Sequence, residues 1–152
     1  MHLEQLYSAY LGERYGIAFF SAFAQKYSDD NHINKWQLLI QVEEITAKKL
    51  KDGLIQRGFN NFGDEQAMQD KGIRDAEQWV HLEWNTLLKT LIPWVKPYAI
   101  KYREQALAAT EHQELYQLVQ QHEDAIYDFL LSEKQKVDTG IAILEDFIAS
   151  QS

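Results

Sequence analysis

Along most of this chain the apolar residues return at alternating steps of three and four. That rhythm fits an α-helix, whose 3.6-residue turn gathers them on one stripe, and it fits almost nothing else. Leu3, Leu6, Tyr10, Glu13, Ile17, Phe20, Ala24 and Tyr27 keep the rhythm first, and the polar run 28–31 ends it. Ile33, Trp36, Ile40, Glu43, Ala47, Leu50 and Leu54 repeat it, with Gly53 and Gly58 marking where that helix frays and stops. A third helix is expected over 75–94, with Ile73, Val80, Trp84, Leu87, Leu91 and Trp94 on its apolar side and Pro93 and Pro97 breaking or kinking it. Residues 98–109 are expected to form a short polar helix. The fourth long helix opens at Thr110, whose pairing with Gln113 has the form of a capping box, and continues through Leu115, Leu118, His122, Ala125 and Phe129. A last short helix over 139–149, capped by Asp138, presents Ile141, Leu144, Phe147 and Ile148. Only between 59 and 72 is the rhythm lost. That stretch reads as a loop of about 14 residues, long enough when extended to cross the length of a helix.

Seven glycines and two prolines in 152 residues are too few turn residues for a sandwich or barrel. The expected fold is therefore all-α: one helical-bundle domain over 1–152, four long helices with one or two additional short ones. The absence of cysteine excludes disulfides, thiolate metal sites and cysteine nucleophiles. A net charge of −8 argues against nucleic acid or an anionic membrane as partner, since both need clustered Lys and Arg. The longest apolar run, 17–24, is interrupted by Ser21 and is too short to span a bilayer. The first residues lack a basic stretch leading into an apolar one, so a cytoplasmic protein is expected. No Gly-rich phosphate loop or Gly-x-Ser-x-Gly elbow occurs. His122-Glu123 begins a zinc-protease motif, but Ile126 stands where the second histidine must be.

Chemistry concentrates in the polar residues that interrupt the apolar stripes. Glu13 lies between Tyr10 and Ile17, Glu43 between Ile40 and Ala47, and His122 between Leu118 and Ala125, each near the middle of its expected helix. A charged group in such a stripe is costly unless something compensates it. Equal depth would let the three meet. On the third helix Glu77 and Glu83 both fall about 60° from the centre of the apolar face, on opposite sides, and the angle alone does not choose between them. Glu123 stands at the edge of the fourth stripe and is a candidate second carboxylate there. Carboxylates and imidazole gathered in a dry bundle are what a hard or borderline divalent ion such as iron or manganese needs. The competing reading is structural: the glutamates are displaced to helix edges and reach solvent, while His122 hydrogen-bonds one of them.

With these residues in place, the chain over 3–131 resembles the ferritin-like superfamily. The resemblance is carried above all by KWQLLIQVEEITAKKLKDGL (35–54) and QLVQQHEDAIYDFLLSE (117–133), which look like the second and fourth helices of small ferritin-like or rubrerythrin-like bacterial proteins. It implies four helices with a long crossover between the second and third, each placing a carboxylate around a two-metal centre. Carried over by position, the metal ligands would be Glu13, Glu43, one of Glu77 and Glu83, and His122 or Glu123. The superfamily's Glu-x-x-His on the second helix is incomplete, because Thr46 follows Glu43 at that spacing. On the fourth helix, Val119 stands three residues before His122.

The reading is then a ferritin-like protein with a carboxylate and histidine site for one or two iron or manganese ions, acting in oxygen- or peroxide-dependent oxidation or in metal binding. The alternative is a non-catalytic interaction or dimerisation module that has kept the fold, lost the site and binds no metal. A homodimer is expected, because Phe19, Phe20 and Phe23 spread over more than one helix face and exceed what one bundle seam covers.

Overall fold

A computed structural model describes residues 2–151, the side chain of His2 excepted. Among these residues there are six α-helices, a short 3₁₀ turn and no strand, so the all-α expectation holds. The helices are α1 (His2–Lys26), α2 (Ile33–Gln56), α3 (Glu65–Glu77), α4 (Trp84–Ala108), α5 (Gln113–Lys134) and α6 (Gly140–Ser150), with the 3₁₀ turn at Asp30–His32. No helix is long and apolar enough to cross a membrane among the described residues. The chain divides into two compact units, 1–81 and 82–152.

In the first unit α1 is the central helix, packed on α2 on one side and α3 on the other. The polar run after Lys26 ends α1 as expected, and the Asp29 carboxylate accepts from the Asn31 N–H to start the 3₁₀ turn. Phe23 stacks on Trp36 with ring centroids 4.5 Å apart, Gly16 faces Glu43, and Lys51 lies 6.0 Å from the Tyr10 ring. Residue numbers fall along α1 as they rise along α2, so the two helices are antiparallel. Contacts with α3 run the other way. The Tyr10 hydroxyl donates to Glu65 at 2.6 Å, Tyr15 donates to Asp75 at 2.6 Å, and Lys26 pairs with Glu77, so α1 and α3 are parallel.

Helix α3 corrects the expected loop over 59–72. Its buried residues are only Gly72 and Ala76. A β-carbon on Gly72 would stand 2.5 Å from the Tyr15 carbonyl oxygen, so glycine is what lets the two backbones approach. A helix that packs through two small residues and a set of polar bonds has no apolar stripe, and its periodicity is invisible to a reading based on hydrophobic residues. The irregular connection is thus confined to 57–64, where Gly58 (φ +86°) supplies the left-handed residue after α2.

The aromatic surface on which the homodimer expectation rests is covered within the first unit. Phe19, Phe20 and Phe23 are all buried, with Trp36 of α2 against Phe20 and Phe23 and Trp79, just after α3, edge-on to Phe19. Trp36 is a core residue; Trp84 and Trp94 are only part-buried.

In the second unit α5 is central, between α4 and α6. The helix expected over 75–94 does not exist as one element: α3 ends at Glu77, a turn follows, and α4 starts at Trp84. The expected break at Pro93 and Pro97 is absent too, and α4 continues through both to Ala108. The prolines are one turn apart on the exposed face, where water can reach the carbonyls of Lys89 and Pro93 that lose their helical donors. Its opposite face buries Leu87, Leu88, Leu91, Val95, Ala99 and Tyr102. The expected capping box is not formed. The residue before α5 is His112 in the left-handed region (φ +56°), and the Gln113 amide instead donates to the Ala109 carbonyl at 3.0 Å. Thr139, not Asp138, precedes α6, and its hydroxyl shares a 2.7 Å hydrogen bond with Ser132 of α5.

Candidate metal centre

Glu13, Glu43 and His122 are the only buried carboxyl or imidazole groups among the described residues, with 3%, 4% and 1% of their surface exposed. Each sits near the middle of its helix because the apolar rhythm on both sides forces it there: Tyr10 and Phe20 flank Glu13, Leu39 and Leu50 flank Glu43, and Leu118 and Ala125 flank His122, all buried.

Within the first unit the two glutamates form a pair. A carboxylate oxygen of Glu13 on α1 lies within 4.8 Å of one on Glu43 of α2. Were both ionised, two negative charges at that distance would repel by on the order of 3 kcal/mol at the effective dielectric usual for protein sites. An ion pair across a helix interface would have been the ordinary arrangement. A pair of carboxyl groups is relieved by a proton held between them or by a cation.

Glu43 reaches this position over Gly16, one turn beyond Glu13. A β-carbon at residue 16 would lie 1.4 Å from Glu43 Oε2 and 2.4 Å from its carboxyl carbon. Glycine in a helix interior costs about 0.5–1 kcal/mol against alanine, and here the space it leaves is filled by the carboxylate. Gly16 was not singled out among the candidate residues. Its signal was present all the same, as an isolated glycine inside a strongly helical pattern. Thr46, one turn along α2 from Glu43, is fully buried and occupies the position where the Glu-x-x-His pattern has its histidine.

In the second unit, His122 on α5 lies against α6. Its ring stands edge-on to Phe147 with centroids 6.1 Å apart, and its Nε2 is 3.7 Å from Glu123 Oε2. Glu123 thus stands beside the imidazole at ion-pair distance.

The third-helix candidates are placed elsewhere. Glu77 ends α3 in an exposed pair with Lys26. Glu83 is exposed and caps α4, accepting from the Thr86 N–H and hydroxyl, each at 2.8 Å, and from the Asn85 N–H at 3.3 Å. The Thr86 hydroxyl first, and the capping N–H groups with it, hold the Glu83 carboxyl below the usual carboxylate range. Neither residue turns into a helix interior, because the helix that was expected to carry both is interrupted between them.

Comparison of the chain with protein-family models, with curated proteins and with solved structures finds no match.

Proposed function

We propose that the buried pair Glu13 and Glu43 holds one divalent cation, iron or manganese, in a ferritin-like protein. The observation that carries this reading is the buried Glu13–Glu43 pair, two carboxyl groups brought together across a helix interface. The element order supports a ferritin-like reading. The four long helices have 25, 24, 25 and 22 residues, and the connection between the second and third of them contains α3. Carboxylate oxygens suit Fe(II) or Mn(II), whose charge offsets the repulsion of the pair. One carboxylate from each of two helices favours a single ion with open coordination positions over a two-metal centre. At such an ion the supported chemistry is oxygen- or peroxide-dependent oxidation, or metal binding alone. The test is elemental analysis of protein loaded anaerobically with Fe(II) and Mn(II) and then desalted. About one ion per chain is expected, and none with either metal overturns the proposal.

A second reading, a helical interaction module without a metal, draws on Thr46. A fully buried hydroxyl stands where a second ligand would complete the motif. This reading expects no metal in the same measurement.

A further inference from the structure

A glycine inside a helix usually makes room for a neighbouring backbone, and Gly72 does so against the Tyr15 carbonyl oxygen. Gly16 is different. What fills the volume of its absent side chain is the end of an acidic side chain: a β-carbon there would meet Oε2, the carboxyl carbon and Oε1 of Glu43 at 1.4, 2.4 and 3.1 Å. We infer that Gly16 is a positioning residue for Glu43, and that the notch it leaves in α1 holds this carboxylate beside Glu13. For its functional meaning the inference rests on the metal reading above.

The reasoning is steric first. Any L-residue at position 16 places its β-carbon inside the carboxylate, and no small adjustment absorbs an overlap of that size. The atoms in the way belong to the far end of a flexible side chain, whereas at Gly72 they belong to backbone. At Gly16 the side chain therefore gives way and the helices stay. Electrostatics then decides what displacement does. Around Glu43 on α2, Leu39, Val42, Thr46, Ala47 and Leu50 are all buried, so a displaced carboxylate has no short route to water. The notch is thus the place where this charge can lie within reach of Glu13 and of a shared cation. Gly16 touches no metal in this account; it acts through Glu43.

The experiment uses the full chain and four proteins: wild type, Gly16→Ala, Glu43→Ala and the double variant. Mn(II) binding is followed anaerobically through the electron paramagnetic resonance signal of free Mn(II), and stability of the metal-free proteins by thermal melting. Gly16→Ala is expected to keep its helical content and to bind Mn(II) about 10- to 100-fold more weakly, the usual loss when a group supporting a ligand is changed. In the metal-free proteins Gly16→Ala lowers the melting temperature when Glu43 is present and raises it when Glu43 is alanine, because only the helix-propensity gain then remains. If Gly16→Ala does not fold, the double variant is expected to fold, which supports the inference; failure of both overturns it. Wild-type Mn(II) affinity in folded Gly16→Ala overturns it, as does an equal effect of Gly16→Ala in the two backgrounds. Should the wild type bind neither Mn(II) nor, in the same anaerobic titration, Fe(II), the metal reading falls and the sign change between backgrounds alone judges the role of Gly16.

Discussion

The contact between α1 and α2 is built twice at the same helical positions, one heptad apart. In one layer Phe23 stacks on Trp36 at 4.5 Å between ring centroids. Seven residues back along α1 and seven forward along α2, Gly16 receives Glu43. The layers are about 10 Å apart along the axis and have opposite content. The aromatic layer pairs two large side chains and excludes water. The glycine layer gives up a side chain on one helix and puts a charge on the other, next to a second carboxylate one turn away. A helix pair built for stability alone would have repeated the first layer. The difference teaches that packing in the glycine layer is subordinate to holding two carboxylates together.

Cutting a hole in the aromatic layer should have the largest effect. Phe23→Ala removes a fully buried ring and is expected to destabilise the protein by about 4 kcal/mol in denaturant unfolding. Glu43→Gln in the metal-free protein should be neutral or stabilising, because an amide keeps the shape without the repulsion. A loss comparable to that of Phe23→Ala would erase the distinction between the layers.

Next in size is the effect of metal. Mn(II) or Fe(II) at about 100 times its dissociation constant should stabilise the wild type by about 2.7 kcal/mol, read as a melting-temperature rise of a few degrees. Glu43→Gln should abolish that rise and Phe23→Ala should retain it. A rise of equal size in Glu43→Gln would show that the cation binds elsewhere.

A smaller effect belongs to the polar contact between α1 and α3. Glu65 accepts the Tyr10 hydroxyl at 2.6 Å and lies 3.3 Å from Arg14 Nε. Burial first, and that hydrogen bond second, push the Tyr10 phenol well above its usual range. A folded-state value raised above the unfolded one means that the stabilisation is complete below about pH 10 and is lost as pH rises beyond it. Tyr10→Phe should therefore cost about 1.5 kcal/mol at neutral pH, and its stability should fall less steeply above about pH 10. Parallel alkaline curves for the two proteins would refute the assignment.

The smallest effect is expected at Glu83, outside the contact altogether. Its carboxyl is held low by Thr86 and the capping N–H groups, so the cap stabilises α4 above the unfolded value near pH 4.3 and is lost as pH falls through the lower folded one. Glu83→Ala should slightly flatten the acid limb of the stability curve and leave metal binding unchanged. Loss of metal binding in this variant would return Glu83 to the ligand set.

Hydrophobic rhythm alone determined the all-α class and the first two helices to within a few residues, and it put Glu13, Glu43 and His122 into apolar stripes; that they are buried and not displaced to the helix edges was decided by packing. The rhythm could not show α3, which packs through Gly72 and Ala76 and a row of hydrogen bonds and carries no stripe. Nor could it show that α4 runs through Pro93 and Pro97. A proline breaks a helix only where the freed carbonyl has no other partner, and whether that face meets water is settled by packing. The start of α4 behaved likewise. A helical wheel assumes one unbroken helix, so Glu77 and Glu83 kept equal standing until the turn between them put both outside. The pairing of Glu43 with the notch at Gly16 lay further out of reach. It depends on the antiparallel register of two helices, and register is decided by how side chains from distant parts of the chain fill each other's space.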